Sequence, residues 1–278
     1  MKKFLLKKSV AFFSVVVLCL SIHIDCYAFN LKESEPNDSY ESATVISANT
    51  QTMKEYCAGN SQNINWVDGY LSREDVDWYI VYLDSGNKYL SCTNGCNVNY
   101  EIFDSSLNNV AGFNHNTTKK QSYTFNATYS GNYYIRVEEA YGEIESYNFT
   151  IGNPIYDLGR VKINCPGGTA TMRSRQSTLT LTYNSDASIP AGAVATRIST
   201  SGVRSGQGIE TINVTNITSG KSVLLSKYIY ENRNTVSMDI PCDLGWTLTF
   251  ERDSFHASSE LSFSPTLVVD YIYPIEAQ

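Results

Sequence analysis

Carboxylate and amide side chains crowd one short segment of the chain. Glu33, Glu35 and Asn37 alternate along it, and Pro36 stiffens a turn that adds Asp38. Alternate residues of an extended chain point the same way, so the first three can face one centre. Calcium takes roughly six to eight oxygen ligands, and carboxylates with an amide carbonyl are the hard ligands it prefers. The segment therefore predicts part of a calcium site.

A second acidic segment runs from a turn into a predicted strand. It contains Asp68, Glu74, Asp75 and Asp77, and it is followed by Trp78. The two acidic segments either meet around one cation or are an acidic N-terminal tail and an unrelated acidic turn. Spacing alone leaves both interpretations open.

Residues that catalyse reactions are scarce. The chain has 278 residues and three histidines, and His115 and His256 fall in polar loops. No Gly-x-Ser-x-Gly, His-Glu-x-x-His or Gly-rich phosphate-binding pattern occurs. A Ser-His-Asp or Cys-His group can still assemble in space, because its members need not be close in sequence. We therefore predict a non-catalytic protein and keep an unrecognised hydrolase in residues 157–278 as an alternative.

The N-terminal segment has the features of a secretory signal peptide. Lys2, Lys3, Lys7 and Lys8 precede a short apolar run, and a small-residue cleavage point follows at Ala28. The run is shorter than the roughly 20 apolar residues that a membrane span needs. We predict that residues 1–28 are the signal peptide, that the rest is secreted, and that it has no membrane insertion.

Composition and charge narrow the class of protein further. The formal net charge is −7, and removal of the lysine-rich signal peptide makes it more negative. This charge excludes a generally basic nucleic-acid binder. Charged residues make up only 18% of the chain, aromatic residues 12%, and tyrosine alone occurs 20 times. Such a composition is typical of a strand-rich globular protein.

Short apolar or alternating runs, separated by Asn, Gly and Ser turns, predict strands along the whole remaining chain. The predicted strands cover residues 77–83, 88–92, 99–103, 122–127, 133–137, 159–164, 177–183, 193–200, 209–214, 223–230, 235–240, 246–251 and 266–273. Residues 77–83 are apolar on both faces, which favours a central strand of a sandwich. No helical period persists for three turns.

Six motifs follow one another between residues 30 and 152. They are Glu33-x-Glu-Pro-Asn-Asp, Gly69-Tyr-Leu, Asp75-Val-Asp-Trp-Tyr, Tyr100-Glu-Ile-Phe-Asp, Ser130-Gly-Asn-Tyr-Tyr-Ile-Arg-Val and Ser146-Tyr-Asn-Phe-Thr-Ile. In this order they resemble the bacterial pre-peptidase C-terminal domain, and clostridial collagenase collagen-binding domains are similar. The resemblance implies a jelly-roll-like β-sandwich that holds Ca²⁺. The ligands it implies are Glu33, Glu35, Asn37, Asp38, Asp75 and Asp77, with Glu74 as an alternative in the same turn.

Asn153-Pro154 interrupts the strand pattern and divides the chain. We predict an all-β protein of two jelly-roll-like β-sandwich domains in tandem after the signal peptide. Residues 29–152 form the calcium-binding domain, and residues 157–278 form a second β-sandwich.

Five cysteines remain after the signal peptide, and export permits disulfides. Cys165 and Cys242 are the natural pair if each domain closes its own bond. Any two of Cys57, Cys92 and Cys96 can join and leave one thiol over. Reduced, buried thiols are the alternative, and zinc is disfavoured because no nearby histidine supplies a fourth ligand.

Tyrosines are frequent in residues 123–147, where they either line a binding face or are buried strand residues.

Taken together, the sequence predicts a secreted, calcium-binding module for an extracellular matrix protein or polysaccharide. The alternative is an accessory or inhibitory partner of a secreted peptidase.

Overall fold

The computed structural model describes residues 30–59, 64–93, 95–140, 145–203, 208–226, 229–233 and 235–275. The predicted signal peptide, residues 1–28, lies outside these ranges. Within them, no helix has the length and apolar character that a membrane crossing requires.

The described residues of the first part of the chain form strands, one short α-helix, α1 (Met53–Cys57), and a 3-10 helix at Tyr40–Ser42. Its strands are β1 (Asn30–Lys32), β2 (Thr44–Ile46), β3 (Trp66–Leu71), β4 (Val76–Leu83), β5 (Gly86–Cys92), β6 (Val98–Phe103), β7 (Asn109–His115), β8 (Gln121–Ala127), β9 (Gly131–Glu139) and β10 (Glu145–Gly152).

These strands form two five-stranded sheets. Sheet A has the order β1-β3-β10-β5-β8, and sheet B has the order β2-β4-β9-β6-β7. The first strand of each sheet pairs in parallel with its neighbour, β1 with β3 and β2 with β4. The remaining pairs are antiparallel.

One hydrophobic core lies between the inner faces of sheets A and B. Sheet A contributes Leu90, Phe125 and Phe149, and sheet B contributes Tyr100 and Ile135. Each such side chain contributes roughly 1.5–3 kcal/mol when it is fully buried. Successive side chains of a strand point to opposite faces of the sheet, so every second residue lies in the core.

Strand β4 lies inside sheet B, between β2 and β9. Its inner residues Tyr79, Val81 and Leu83 are buried, as an inward face requires. The outer face is not covered, because Tyr82 on that face is 60% exposed. The outer face of this central strand is therefore apolar and partly exposed.

The second part of the chain contains ten further strands among the described residues. They are β11 (Tyr156–Asn164), β12 (Ala170–Met172), β13 (Thr178–Tyr183), β14 (Val194–Ser201), β15 (Ile209–Asn216), β16 (Ser222–Ser226), β17 (Glu231–Asn232), β18 (Trp246–Arg252), β19 (Leu261–Phe263) and β20 (Thr266–Pro274). Sheet C has the order β11-β20-β14-β17, sheet D has the order β13-β18-β15-β16, and β12 pairs with β19.

Two predicted strands of this part differ from the structure. Residues 235–240 contain a 3-10 helix, Val236–Met238, instead of a strand. The Thr235 hydroxyl donates to the Ala195 carbonyl at 2.7 Å, and Met238 N donates to Thr235 O, so the chain turns at this point. The strand predicted for 223–230 ends at Ser226. An apolar alternation over three or four residues also fits a turn, which is why the pattern failed at both places.

The all-β prediction is confirmed. No sheet of the described residues combines strands from before and after residue 154, and two separate hydrophobic clusters follow the same division. The helix α1 crosses this boundary, since Met53 and Tyr56 pack against Tyr156, Val194 and Ile272. The assignment of residues 29–152 and 157–278 as two tandem domains stays a prediction.

The structure contains no disulfide among its described cysteines. Cys92, Cys96, Cys165 and Cys242 are buried thiols, and Cys57 on α1 is an exposed thiol. The structure therefore does not show the predicted Cys165–Cys242 disulfide, nor a disulfide between any two of Cys57, Cys92 and Cys96. Burial raises the pKa of the Cys92 thiol to about 12, which disfavours the reactive thiolate.

A glycine in sheet A provides a test of this packing. A Cβ on Gly69 would lie 2.1 Å from Tyr147 Cζ, whose ring covers this position from the neighbouring strand. We expect Gly69→Ala to lower the free energy of unfolding by about 1–3 kcal/mol, because the ring must move. Urea unfolding measures the change.

Gly112 in sheet B is the matched control, since its added Cβ would meet nothing closer than Tyr100 O at 3.9 Å. Gly112→Ala should change the free energy of unfolding by no more than about 0.5 kcal/mol. Equal effects of the two substitutions would contradict the packing described for Tyr147.

Candidate metal centre

The N-terminal acidic segment is fixed across the ends of β3 and β4. β1 pairs with β3, and Glu33 N donates to Asp68 O at 3.1 Å just beyond that pairing. Farther along, Trp78 N donates to Asn37 O at 2.9 Å, which attaches the segment to β4. These backbone bonds bring the two acidic segments of the sequence together.

Three carboxylates meet at this place. Glu35, Asp75 and Asp77 each offer an oxygen, and these oxygens all lie within 4.8 Å of one another. Oxygens that bind one calcium ion at about 2.3–2.6 Å can be up to about 5 Å apart. Asp77 is fully buried, Asp75 is half-buried and Glu35 is exposed, so the group lies at the surface with a buried floor.

The tight turn before β4 holds the Asp75 carboxylate in place. Its Oδ2 accepts from Ser72 N at 3.1 Å and from Ser72 Oγ at 3.0 Å, while its Oδ1 accepts from Val76 N. Glu74 has a φ of 67°, and this left-handed conformation lets the chain reverse before the strand begins. Glu74 itself is exposed and is not one of the three grouped carboxylates.

The buried amide of Asn37 lies between two of these carboxylates. With its Nδ2 turned toward them, it donates to Glu35 Oε2 at 2.9 Å and to Asp77 Oδ1 at 3.0 Å. With its Oδ1 turned toward them, three oxygens face one another, an arrangement that a cation or a proton on one carboxyl satisfies. The amide can therefore satisfy the group in both states, as a donor without a cation and as a ligand with one.

Two buried tyrosines form the floor beneath the carboxylates. Tyr147 OH donates to Asp77 Oδ2 at 2.5 Å and lies 2.5 Å from Tyr79 OH. Glu33 Oε2 lies 3.2 Å from the same Tyr147 hydroxyl, and Glu33 Oε1 accepts from Tyr70 N at 2.9 Å. Sequence reasoning did not identify Tyr79 and Tyr147 as part of the site. Tyr79 lies on β4 of sheet B and Tyr147 on β10 of sheet A, so their hydroxyls meet only because the two sheets pack face to face.

The structure thus distinguishes among the six predicted ligands. It groups Glu35, Asp75 and Asp77, and it places the Asn37 amide against them. Glu33 lies beside the group and is held by Tyr70 and Tyr147. Asp38 is exposed, and its charge is close enough to raise the pKa of Glu35.

The negative charge of this group is not compensated by basic side chains. Among the described residues, no lysine or arginine forms an ion pair with Glu33, Glu35, Asp75 or Asp77. Burial raises the pKa of Asp77 to about 8, and the charges of Glu33 and Asp75 add to this effect. Burial also raises the pKa of Glu35. A bound cation would offset the repulsion between the neighbouring carboxylates, which contributes to these raised pKa values.

The two histidines that the structure describes, His115 and His256, do not form a recognisable catalytic group. His115 is buried, with Nδ1 3.1 Å from Tyr123 OH. His256 Nδ1 lies 2.7 Å from Asp253 Oδ2, an Asp-His pair at the protein surface. Within the described part of the chain, no serine or cysteine side chain forms a hydrogen bond with His256 that would complete a nucleophilic triad.

The shifted pKa of Asp77 predicts a pH dependence of stability in the absence of divalent cations. The folded chain keeps a proton on Asp77 up to about pH 8, whereas the ordinary carboxyl pKa is 3.8. Its contribution to stability is therefore fully present at low pH and is lost as pH rises toward 8. Urea unfolding in chelator between pH 5 and 9 should show this decline, and Asp77→Asn should weaken it. The same decline in both proteins would contradict the assignment.

Comparisons with known proteins give no family. No family model matches the sequence, and no curated protein matches it. A solved structure of a "putative secreted protein" from Eubacterium rectale is 14% identical, covers 91% of this chain and 89% of its own, and has a TM-score of 0.49. Salmonella Typhimurium PliG, a periplasmic inhibitor of g-type lysozyme, is 13% identical, covers 39% of this chain and 96% of its own, and has a TM-score of 0.26. At these identities and TM-scores, the likenesses assign neither a family nor a function to this chain.

Proposed function

We propose that this chain is a secreted, non-catalytic β protein that binds Ca²⁺ at its N-terminal segment and attaches to an extracellular matrix protein or polysaccharide. The observation that carries the calcium site is the group of Glu35, Asp75 and Asp77 oxygens within 4.8 Å of one another, with the buried Asn37 amide against them. Secretion is inferred from the signal peptide that residues 1–28 predict.

The donor set fits a hard cation. All the candidate ligand atoms are carboxylate or amide oxygens, whereas structural zinc sites use mainly cysteine and histidine. Magnesium prefers a strict octahedral geometry with retained water, while calcium accepts the mixed and partly exposed ligands found here. The resemblance to the pre-peptidase C-terminal domain supports the same choice.

The cation would act by joining two segments of the chain. Glu35 and Asn37 belong to the N-terminal segment, and Asp75 and Asp77 belong to the turn and first residues of β4. The N-terminal segment continues directly into the 3-10 helix at Tyr40–Ser42. Fixing the segment therefore also fixes Tyr40 against sheet B.

Tyr40 belongs to an aromatic cluster on the outer side of sheet B, which we call the aromatic face: Tyr40, Trp78, Tyr82, Phe103 and Tyr134. The Tyr40 ring lies 6.2 Å from the rings of both Trp78 and Tyr134. Trp78 stacks on Phe103 with ring centroids 5.4 Å apart. Half-exposed rings of this kind can stack on sugar rings or lie along a fibrous protein.

Charged groups border the aromatic face. Arg136 lies on the same side of β9 as Tyr134, and its guanidinium bonds Glu101 at 2.7 Å and Glu138 at 2.6 Å. An ordered guanidinium and two carboxylates beside aromatic rings provide donors and acceptors for hydroxyl or amide groups. This combination supports a polar polymer as the ligand of the face.

Calcium binding predicts a thermodynamic effect that one carboxylate should control. Calcium at about 100 times its dissociation constant should raise the free energy of unfolding by about 2.7 kcal/mol. Asp75→Asn should remove most of this gain, because it takes a charge from the grouped oxygens. Unfolding in urea with calcium and with chelator measures both values.

Asp84→Asn is the matched control, since Asp84 is an exposed carboxylate in the turn after β4 and outside the group. It should keep the full calcium effect. If calcium stabilises the protein with Asp75→Asn as much as the unchanged protein, the calcium site is wrong.

The aromatic face predicts where an insoluble ligand binds. Sedimentation with fibrillar collagen and with cellulose or chitin, in calcium, should retain the protein on at least one of them. Tyr82→Ala should weaken that binding about tenfold, as loss of an aromatic anchor does at other interfaces. Leu224→Ala is the control, because Leu224 is 63% exposed on β16 in the other part of the chain.

Failure of the unchanged protein to sediment with any of these polymers would reject the binding-module proposal and leave the calcium site to be judged by its own test. Co-purification with a secreted peptidase would then favour the accessory or inhibitory alternative.

A further inference from the structure

A cleft of about 770 Å³ lies where α1 meets sheet C. Residues from both parts of the chain line it: Lys54, Tyr56, Cys57, Ala58, Gly59, Leu158, Thr196, Arg197, Arg233, Ser237 and Asp270. The edge-to-face contact of Tyr56 with Tyr156, at 6.1 Å, holds α1 against the second part. Clefts between packed units of a chain are common places for small ligands.

The charge of this cleft is opposite to that of the protein. Three cations, Lys54, Arg197 and Arg233, line it together with a single carboxylate, Asp270, in a chain whose formal net charge is −7. Nearby Arg160 pairs with Asp270, and Arg233 pairs with Glu231. Positive charge therefore exceeds negative charge even when these ion-pair partners are included.

The guanidinium of Arg197 is only loosely satisfied. Its Nη1 lies 3.4 Å from Asp270 Oδ2, and its Nη2 lies 3.3 Å from Glu231 Oε2. Its Nε is buried and 3.1 Å from Glu231 Oε1, without the alignment of a hydrogen bond. Strong charge-assisted bonds are nearer to about 2.7–2.9 Å. Each Nη group carries two hydrogens and makes one of these contacts, so N–H donors remain for an added oxyanion.

The remaining walls suit the body of a small polar ligand. Tyr56 and Leu158 provide apolar surface, and Thr196 and Ser237 bring hydroxyl groups. We propose that this cleft binds a small ligand that carries a carboxylate, sulfate or phosphate group, with the anion held by Arg197, Arg233 and Lys54. This binding site is separate from the calcium site and from the aromatic face, and it gives the second part of the chain a role in recognition.

Cys57 makes the test specific to the cleft. It lines the cleft and is exposed, whereas the other four described cysteines are buried. A bound ligand should therefore slow alkylation of this thiol by iodoacetamide, a neutral reagent. The probes are D-glucuronate, glucose 6-sulfate, glucose 6-phosphate and uncharged glucose, each added to the full secreted chain.

At least one charged sugar should protect Cys57, glucose should not, and added sodium chloride should reduce the protection because it screens the charges. Which of the three sugars protects identifies the anion. No protection by any charged sugar, or equal protection by glucose, would overturn the proposal.

Two charge-removing variants connect the protection to the lining residues. Arg233→Gln and Lys54→Gln should each weaken protection about tenfold, as expected for a lost charge-assisted bond. Lys120→Gln removes the same charge from an exposed position in the first part of the chain and should leave protection unchanged. Rates with and without sugar are compared within each variant, so a changed basal thiol reactivity does not enter. Unchanged protection in both cleft variants would also overturn the proposal.

Discussion

The buried carboxylate of Asp77 constrains the part of the structure where the N-terminal segment meets sheets A and B. Asp77 lies on the inner face of β4 with the buried residues Tyr79, Val81 and Leu83, and its charge is opposed by burial and by Glu33 and Asp75. A carboxylate in this position needs donors or a cation. Tyr147 supplies one donor from sheet A, and Gly69 leaves the space for its ring. The Asn37 amide supplies another from the N-terminal segment.

This requirement connects the acidic group to the outer surface of sheet B. The segment that carries Glu35 and Asn37 leads directly to Tyr40, and Tyr40 covers part of the rings of Trp78 and Tyr134. The conformation of this segment is therefore coupled to that of the aromatic face, because the chain continues from one to the other and the Tyr40 ring packs against the face. A cation that fixes the one would stabilise the other without touching it.

Charge is distributed unevenly over the molecule. The first part of the chain collects uncompensated carboxylates around Asp77, whereas the cleft beside α1 collects Lys54, Arg197 and Arg233. Charges of like sign repel, so each concentration costs free energy that a ligand of opposite charge relieves. A bound cation would relieve this repulsion at the carboxylates, and a bound anion would relieve it in the cleft.

The sequence by itself determined the all-β class, most strand positions and the two acidic segments, because alternation and turn residues are local signals. It failed for residues 235–240, where a short alternation belongs to a turn. Only the tertiary structure decided which acids meet, why Tyr147 lies beneath them, and that Lys54 shares a cleft with Arg233. Those contacts join residues far apart in the chain, so they depend on strand register and on the packing of separate sheets, which local patterns do not specify.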